Sequence, residues 1–249
     1  MEPTCIPFVF PGISGVRCVF QTRAGGVSQA PWNDGNISSS VGDDPSHVSA
    51  NLEALRKKLG LDALAELSQV HGTEMVFDPS PGDPVREADG LAACRPGLGL
   101  LIKTADCQPI LLAHAGGRHI AAIHAGWRGS RQNFPGKAVE SFCRHYGLKP
   151  ADLSAVRGPS LGPKQAEFIN YASEWGPDFD QWYDAETKMV DLWQMTRDQL
   201  AEAGLRPDRV YGLDLCTASL PELFFSYRVA RVTGRQGSVI WIEKASHGA

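Results

Sequence analysis

The sequence predicts an α/β protein of the α+β type, with layered mixed β-sheets that are flanked by helices. Short apolar runs of strand length alternate along the chain with segments of helical periodicity. Some neighbouring runs are joined by Pro-Gly or Gly-Gly turns, so hairpins are expected and an all-parallel sheet is not. The length of 249 residues fits one large domain or two small ones. Because no stretch has the length of a linker, residues 1–249 are predicted to form a single domain.

The predicted strands follow from apolar and β-branched runs that lie between turn residues. They are expected at 8–10, 16–20, 74–77, 98–102, 110–114, 120–123, 155–157 and 238–242. The runs at 110–114 and 120–123 flank a Gly-Gly turn and are predicted to form a hairpin.

The predicted helices cover 45–59 and 134–146, because in each a proline falls in the first turn and a glycine follows the last. An apolar stripe at helical spacing supports the first of them: Val48, Leu52, Leu55 and Leu59. Residues 165–205 also favour helix, with an amphipathic segment that ends at Gly204.

Composition and charge narrow the function. With a net charge of −4 and no basic run, the chain is not expected to bind nucleic acid. The N-terminus lacks the pattern of a signal peptide and no apolar run could span a bilayer, so a cytoplasmic location without a membrane partner is expected. Six cysteines without a CxxC pair argue against a disulfide framework and leave room for one functional thiolate. The oligomeric state is not predicted.

Three residues of metal-ligand type lie where predicted strands end: His71 in QVHG, Cys107 in TADC and His124 in HAGWRG. Two imidazoles and one thiolate suit zinc in a tetrahedral site with an open fourth position, which makes hydroxide available near neutral pH. The alternative is that the histidines are buried hydrogen-bonded residues and the cysteine a small core residue, the commoner role of each taken alone. Since the spacings match no compact metal motif, the residues alone leave both interpretations open.

Four other residues are weaker candidates. Arg23 precedes a Gly-Gly pair and is an anion-site candidate, although a solvated arginine before a turn is the simpler interpretation. Asp106 is a candidate for proton transfer or for orienting a ligand, against the alternative of a turn-capping aspartate. Trp127 either supports its loop or stacks on a purine, and Arg128 is a second anion candidate. The remaining histidines are predicted to be structural or solvated: His47, His114, His119, His145 and His247.

Longer motifs occur in order along the chain: TRAGGVS, GDDP, QVHG, TADCQPILL, HAGWRG and FFSYR followed by TGR. Together they resemble the laccase-domain family (multicopper polyphenol oxidoreductase-like), whose members are now described as purine nucleoside phosphorylases. The resemblance implies a zinc site formed by His71, Cys107 and His124. It implies phosphate-dependent cleavage of adenosine, inosine, guanosine or methylthioadenosine, with adenosine deamination as a further activity. The implied fold is similar to the cysteine-hydrolase-like fold of deamidating toxins.

The favoured function is therefore a zinc-dependent purine nucleoside phosphorylase that uses a purine nucleoside and phosphate. Its predicted catalytic residues are Cys107, His71, His124 and Arg23. Arg23 is included because guanidinium groups position phosphate well. The alternative is a metal-free cysteine amidase acting on peptidoglycan precursors, with Cys107 as nucleophile and His124 or His71 as base. A copper polyphenol oxidase is disfavoured, because seven histidines without an HxH pair are too few for a trinuclear copper cluster as well. A non-catalytic binding module would leave the thiol and the imidazoles unexplained.

Overall fold

Fifteen strands and five α-helices make up the computed structural model, which describes residues 2–244. The strands are β1 Cys5–Phe8, β2 Val16–Gln21, β3 Ala63–Ala65, β4 Leu67–Ser68, β5 Met75–Phe77, β6 Arg86–Glu87, β7 Gly90–Ala93, β8 Leu98–Thr104, β9 Gln108–His114, β10 Ile120–Ala125, β11 Leu153–Arg157, β12 Tyr183–Asp184, β13 Met189–Val190, β14 Val210–Gly212 and β15 Gln236–Ile242. The helices are α1 Pro45–Lys58, α2 Trp127–Arg131, α3 Phe134–Tyr146, α4 Tyr171–Glu174 and α5 Leu192–Glu202.

Most strands belong to two mixed sheets. The first has the strand order β1-β2-β15-β8-β3 and the second the order β14-β11-β9-β10-β7-β5. Inner neighbours pair antiparallel, whereas the edge strands β3, β5 and β14 pair parallel with their neighbours. The predicted β9–β10 hairpin is present, and Gly117 in its turn has a φ of 65°. The predicted mixture of parallel and antiparallel pairing is confirmed.

Alternation of side chains along the strands places the two sheets face to face. On β8, Leu100 packs against the second sheet, whereas Leu101 faces α1. On β10, Ala122 faces the first sheet and Ile123 faces α3. The order of layers is α1, the five-stranded sheet, the six-stranded sheet, and then α3 with α5. The predicted arrangement of layered mixed sheets flanked by helices is confirmed.

The two clearest helix predictions are confirmed at α1 and α3. The carboxylate of Asp44 caps α1 by accepting a hydrogen bond from Ser46 N, and α3 ends at Gly147 with a φ of 67°. The prediction of helix over 165–205 was wrong for much of that segment, where only α4 and α5 are α-helical and β12 and β13 form a hairpin. This segment folds around its own aromatic cluster at Trp175, and tertiary packing overrides the helix propensity.

No helix among residues 2–244 is both long enough and apolar enough to cross a membrane.

Candidate active site

The three predicted ligands converge at one end of the two sheets. Cys107 lies in the crossover between β8 and β9, and His124 lies in β10, in the register that faces the first sheet. His71 is in the loop after β4; its Nε2 atom lies 3.7 Å from Cys107 Sγ, and its ring centroid lies 4.8 Å from that of His124. All three potential ligand atoms lie within 4.8 Å of one another. The cluster can therefore hold a metal ion.

A buried carboxylate orients two of these ligands. Asp89 is fully buried, and its Oδ1 lies 2.7 Å from His124 Nδ1. The same carboxylate accepts hydrogen bonds from the backbone N–H groups of Val70, His71 and Gly72, at 2.6 to 3.3 Å. Because Nδ1 of His124 is hydrogen-bonded to Asp89, Nε2 is the ring nitrogen that is available to bind a metal ion. A carboxylate behind an imidazole in this way fixes the ring and makes it a better ligand.

Two residues of the sequence motifs shape the space around the ligands. Gln69 exchanges two hydrogen bonds of 2.8 Å with the backbone of Lys103, which ties the loop of His71 to β8. At Gly126, a Cβ atom would lie 2.4 Å from His71 Cδ2 and 3.3 Å from Cys107 Sγ. Glycine at this position therefore leaves the room in which the two ligands meet.

The surroundings of Cys107 favour its thiolate. Burial alone would raise the pKa of this thiol, but the positive charge of His124 and hydrogen bonds from His124 and His71 lower its pKa from 9.0 to about 6. Burial alone would likewise lower the pKa of His124, but the thiolate and the hydrogen bond to Asp89 raise it to about 9. Without a metal ion, Cys107 and His124 thus form a thiolate–imidazolium pair.

The cluster lines a cleft of about 1550 Å³ that extends from α1 to an aromatic wall. In this wall Trp127 packs against Phe168 and Trp175, with ring centroids 6.1 and 5.9 Å apart. These contacts give Trp127 a supporting role. Tyr227 also lines the cleft and is 44% exposed, so an accessible aromatic ring is available there.

Asp106 anchors the loop that carries Tyr227. Its carboxylate accepts hydrogen bonds from Thr217 Oγ1 and Ser226 Oγ, both 2.7 Å long, and from Arg228 N at 2.6 Å. These three bonds use both carboxylate oxygens for structure, which favours the capping interpretation of Asp106 over proton transfer. Because Ser226 and Arg228 flank Tyr227, these bonds also hold Tyr227 close to Asp106 and Cys107.

The two arginines that were predicted to hold an anion occupy different places. Among residues 2–244, those that line the cleft do not include Arg23. Its guanidinium donates to the carbonyl oxygens of Asn33 and Pro221. A catalytic Arg23 stays a prediction, without support from these contacts. Arg128 lines the cleft, is exposed, and lies with its guanidinium 4.5 Å from the ring centroid of Trp127.

Three residues of the site escaped sequence reasoning: Asp89, Tyr227 and Arg235, the last of which also lines the cleft. Asp89 is 35 positions from His124, and no local pattern links the two. The only sequence signal for Asp89 was its position in an acidic loop before a strand, and for Tyr227 and Arg235 it was their place in the FFSYR and TGR motifs. The other four histidines within residues 2–244 lie outside the ligand cluster, and His247 lies beyond the described residues.

The fold and the cluster define a layered α/β protein with a His-Cys-His cluster that could hold a metal ion in an open cleft. The chain belongs to the multi-copper polyphenol oxidoreductase laccase family, because the family model of that description matches residues 17–243. The resemblance seen in the motifs is confirmed.

Relatives of the chain carry a different functional name. "Purine nucleoside phosphorylase YfiH" from Escherichia coli (strain K12) is 33% identical over 244 residues, which cover 94% of this chain and 96% of the relative. "Purine nucleoside phosphorylase PA4543" from Pseudomonas aeruginosa is 34% identical over 243 residues, with the same two coverages of 94% and 96%. Among solved structures, Neisseria meningitidis protein NMB0706 has a TM-score of 0.86 at 27% identity, over 96% of this chain and 99% of that chain. YlmD from Geobacillus stearothermophilus has a TM-score of 0.84 at 26% identity, over 94% of each chain.

Proposed function

We propose that this chain is a zinc-dependent purine nucleoside phosphorylase, with residues 1–249 acting as one domain. The proposed substrates are phosphate and a purine nucleoside: adenosine, inosine, guanosine or methylthioadenosine. The observation that carries the proposal is the convergence of His71, Cys107 and His124 in an open cleft. The names of relatives that align with 94% of the chain support the reaction type.

The donor set fits zinc. Two imidazole nitrogens and a thiolate are ligands that catalytic zinc sites use, and three protein ligands leave one position open. In a tetrahedral zinc site, neighbouring donor atoms lie roughly 3.3 to 3.7 Å apart. The separation of His71 Nε2 and Cys107 Sγ is 3.7 Å, and the largest separation in the cluster is within 4.8 Å. Shifts of about 1 Å would close the set around a zinc ion.

Copper oxidase chemistry has less support from the same residues. A laccase needs a trinuclear copper cluster with many histidine ligands, in addition to a centre of the His-Cys-His type. In the part of the chain that the structure describes, no second group of three candidate ligands accompanies the first. We therefore assign the cluster to zinc.

Phosphorolysis exchanges one bond at the anomeric carbon of the ribose for another. A phosphate oxygen bonds to C1′ while the C1′–N9 bond breaks, and its electron pair leaves with the purine, which then takes up a proton. His71, Cys107 and His124 would hold the zinc ion, which would supply Lewis acidity beside the reacting groups. Asp89 keeps His124 Nε2 directed at the ligand cluster. Tyr227, whose ring also contacts the Arg231 guanidinium at 4.8 Å, offers an aromatic surface in the cleft on which the purine stacks.

One observation favours a second candidate, a metal-free cysteine amidase acting on peptidoglycan precursors. Asp89, His124 and Cys107 form a carboxylate–imidazole–thiol series of the kind that activates nucleophilic cysteines. The pKa of about 6 for the Cys107 thiol provides a nucleophilic thiolate at neutral pH. In this candidate His124 is the base.

Metal analysis combined with a phosphorolysis assay separates the candidates. Purified protein is analysed for zinc and copper, and hypoxanthine release from inosine is measured with and without phosphate. Stoichiometric zinc and phosphate-dependent release, both lost in Cys107→Ser, are the expected results. Cys94→Ser, which removes an exposed thiol outside the cluster, serves as the control and keeps both.

Assays of amide cleavage and of phenol oxidation on the same purified protein can contradict the proposal. A metal-free protein that cleaves amides and loses that activity in Cys107→Ser would establish the cysteine amidase instead. Copper-dependent oxidation of phenols would establish the oxidase.

Adenosine deamination, expected from the family resemblance, is measured as ammonia release from adenosine in phosphate-free buffer. This activity would use the same three ligands.

A further inference from the structure

Arg235 lies at the same end of the first sheet as the ligand cluster. It directly precedes β15, whose first residue Gln236 pairs with Thr104, the last residue of β8. Cys107 follows three positions later in the crossover from β8. Arg235 and Cys107 both line the cleft. The topology thus brings Arg235 and the Cys107 thiol to the same end of the first sheet, where both line the cleft.

The guanidinium of Arg235 is half-buried and forms no direct ion pair with a carboxylate in the described residues. Within residues 2–244, its only hydrogen bonds run from NH1 to the carbonyl oxygens of Thr233 and Gly234, at 3.1 and 2.9 Å. These bonds fix the side chain and leave Nε and NH2 without an acceptor in the described part of the chain. Burial lowers the pKa of Arg235, and the nearby charges of Cys107 and Asp106 offset part of that effect.

The other cations that line the cleft differ from Arg235 in burial or in partners. Lys103 pairs with Glu66 at 3.0 Å. Arg228 donates both NH1 and NH2 to the carbonyl oxygen of Glu167, at 3.0 and 3.1 Å. The remaining three are Arg56, which pairs with Glu53, and Arg128 and Arg231, which are exposed and stack on aromatic rings. Arg235 combines partial burial with free donors.

We propose that Arg235 forms the oxyanion subsite of the cleft and binds one phosphate group beside Cys107 through its Nε and NH2 donors. A partly desolvated charge is stabilised by an opposite charge, and the planar fork of a guanidinium matches two oxygens of a phosphate. The subsite rests on the proposed function to the extent that inorganic phosphate is the co-substrate. It replaces Arg23, whose donors are engaged by backbone carbonyls, as the phosphate-holding arginine.

The same chemistry would accept a phosphate group from two sources, free inorganic phosphate or the 5′-phosphate of a nucleotide. Phosphorolysis requires the free anion, so inorganic phosphate is expected to bind more tightly than the phosphate of inosine monophosphate. Tighter binding of the nucleotide that Arg235→Gln abolishes would assign the subsite to a substrate phosphate and would overturn its assignment to the co-substrate.

The test is the binding of inorganic phosphate to the zinc-loaded protein, measured by titration calorimetry without a nucleoside. Loss of a charge-assisted bidentate contact is expected to weaken binding roughly 10- to 100-fold in Arg235→Gln. Arg235→Lys keeps the charge and loses the fork, so an intermediate affinity is expected. Arg231→Gln removes one positive charge from the same cleft at an exposed position and should change the affinity less than twofold.

Thermal unfolding and zinc content of each variant show whether the fold and the ligand cluster persist. If Arg235→Gln does not fold, Arg235→Lys decides the question by its phosphate affinity. Parental phosphate binding in a folded Arg235→Gln, an equal loss in Arg231→Gln, or a loss confined to Arg23→Gln would each overturn the assignment. Loss of phosphate binding in a protein that proves to have no phosphorylase activity would keep the subsite and remove the proposed reaction.

Discussion

Replacement of Asp89 by asparagine tests whether this carboxylate orients His124 and His71 for metal binding. Oδ1 of the carboxylate is bonded to His124 Nδ1 at 2.7 Å and to His71 N at 3.0 Å. Oδ2 is bonded to Gly72 N at 2.6 Å and to Val70 N at 3.3 Å. An asparagine has one oxygen and one NH2 group, so in either orientation the NH2 group faces N–H donors. At least one buried donor is then left without an acceptor.

Both metal affinity and stability should fall in Asp89→Asn. A lost outer carboxylate typically costs 10- to 100-fold in metal affinity, about 1.4 to 2.7 kcal/mol. If the NH2 group turns towards His124, it donates to Nδ1 and moves the ring proton to Nε2, the atom needed for the metal. One unsatisfied buried N–H group adds about 1 to 3 kcal/mol to the loss of folding stability.

Zinc affinity is measured by competition with a chromophoric chelator, and stability by urea unfolding of the metal-free protein. Asp78→Asn is the matched control, because it removes the same charge from a half-exposed carboxylate that bonds to Tyr146 and His145 instead. The control should keep the parental zinc affinity. A zinc affinity of Asp89→Asn within twofold of the parent would refute the orienting role of Asp89.

The pH dependence of the same comparison has a defined sign. Burial alone would raise the pKa of Asp89, but the hydrogen bond and charge of His124 and the N–H groups of Gly72 and His71 lower it below its ordinary value. A depressed carboxyl pKa stabilises the fold above the ordinary pKa, and this contribution is lost as the pH falls through the lowered pKa. The stability difference between the parent and Asp89→Asn should therefore be largest near neutral pH and shrink in acid.

Three further predictions concern Cys107, Gly126 and Tyr227. In metal-free protein, iodoacetamide should alkylate Cys107 at a rate that rises around pH 6 and has nearly levelled by pH 7.5, because the pKa of this thiol is lowered to about 6; a rise only above pH 8 would contradict the thiolate–imidazolium pair. Gly126→Ala should weaken zinc binding at least about tenfold, since its Cβ would lie 2.4 Å from His71 Cδ2, whereas Gly129→Ala, whose Cβ meets nothing closer than 3.3 Å, should bind zinc as the parent does. Tyr227→Ala should raise the KM for inosine about tenfold and Tyr227→Phe should not, because base stacking contributes about 1 to 3 kcal/mol; equal KM values would remove Tyr227 from the base site.

The parts of the fold that sequence predicts are those in which local pattern and packing agree. The helices α1 and α3 have an apolar stripe, a proline in the first turn and a terminating residue, and each of these signals is local. The hairpin of β9 and β10 has two apolar runs and a Gly-Gly turn. In contrast, the segment around Trp175 is held by aromatic contacts between residues that are not neighbours in any periodic pattern. Propensity alone assigns it to helix.

The same division applies to the site. His71, Cys107 and His124 could be chosen because their side chains have metal-binding chemistry and their motifs resemble those of a family. Asp89 and Arg235 could not, because a carboxylate before a strand and an arginine near the chain end are ordinary until the fold brings them to the cluster. For Arg23, a Gly-rich context suggested an anion site, and in the structure its guanidinium donates to backbone carbonyl oxygens; a catalytic role for Arg23 stays a prediction.

The two candidate activities compete for one atom. Asp89 holds Nδ1 of His124, so Nε2 is the only ring nitrogen that can either ligate a metal ion or take the proton of Cys107. Zinc binding and cysteine-nucleophile catalysis are therefore mutually exclusive in one molecule. If both activities occur, adding zinc to metal-free protein should raise phosphorolysis and lower amide cleavage with the same midpoint, and should protect Cys107 from alkylation over the same range. Amide cleavage that persists at saturating zinc would mean that Cys107 and His124 do not share the metal ion as assigned.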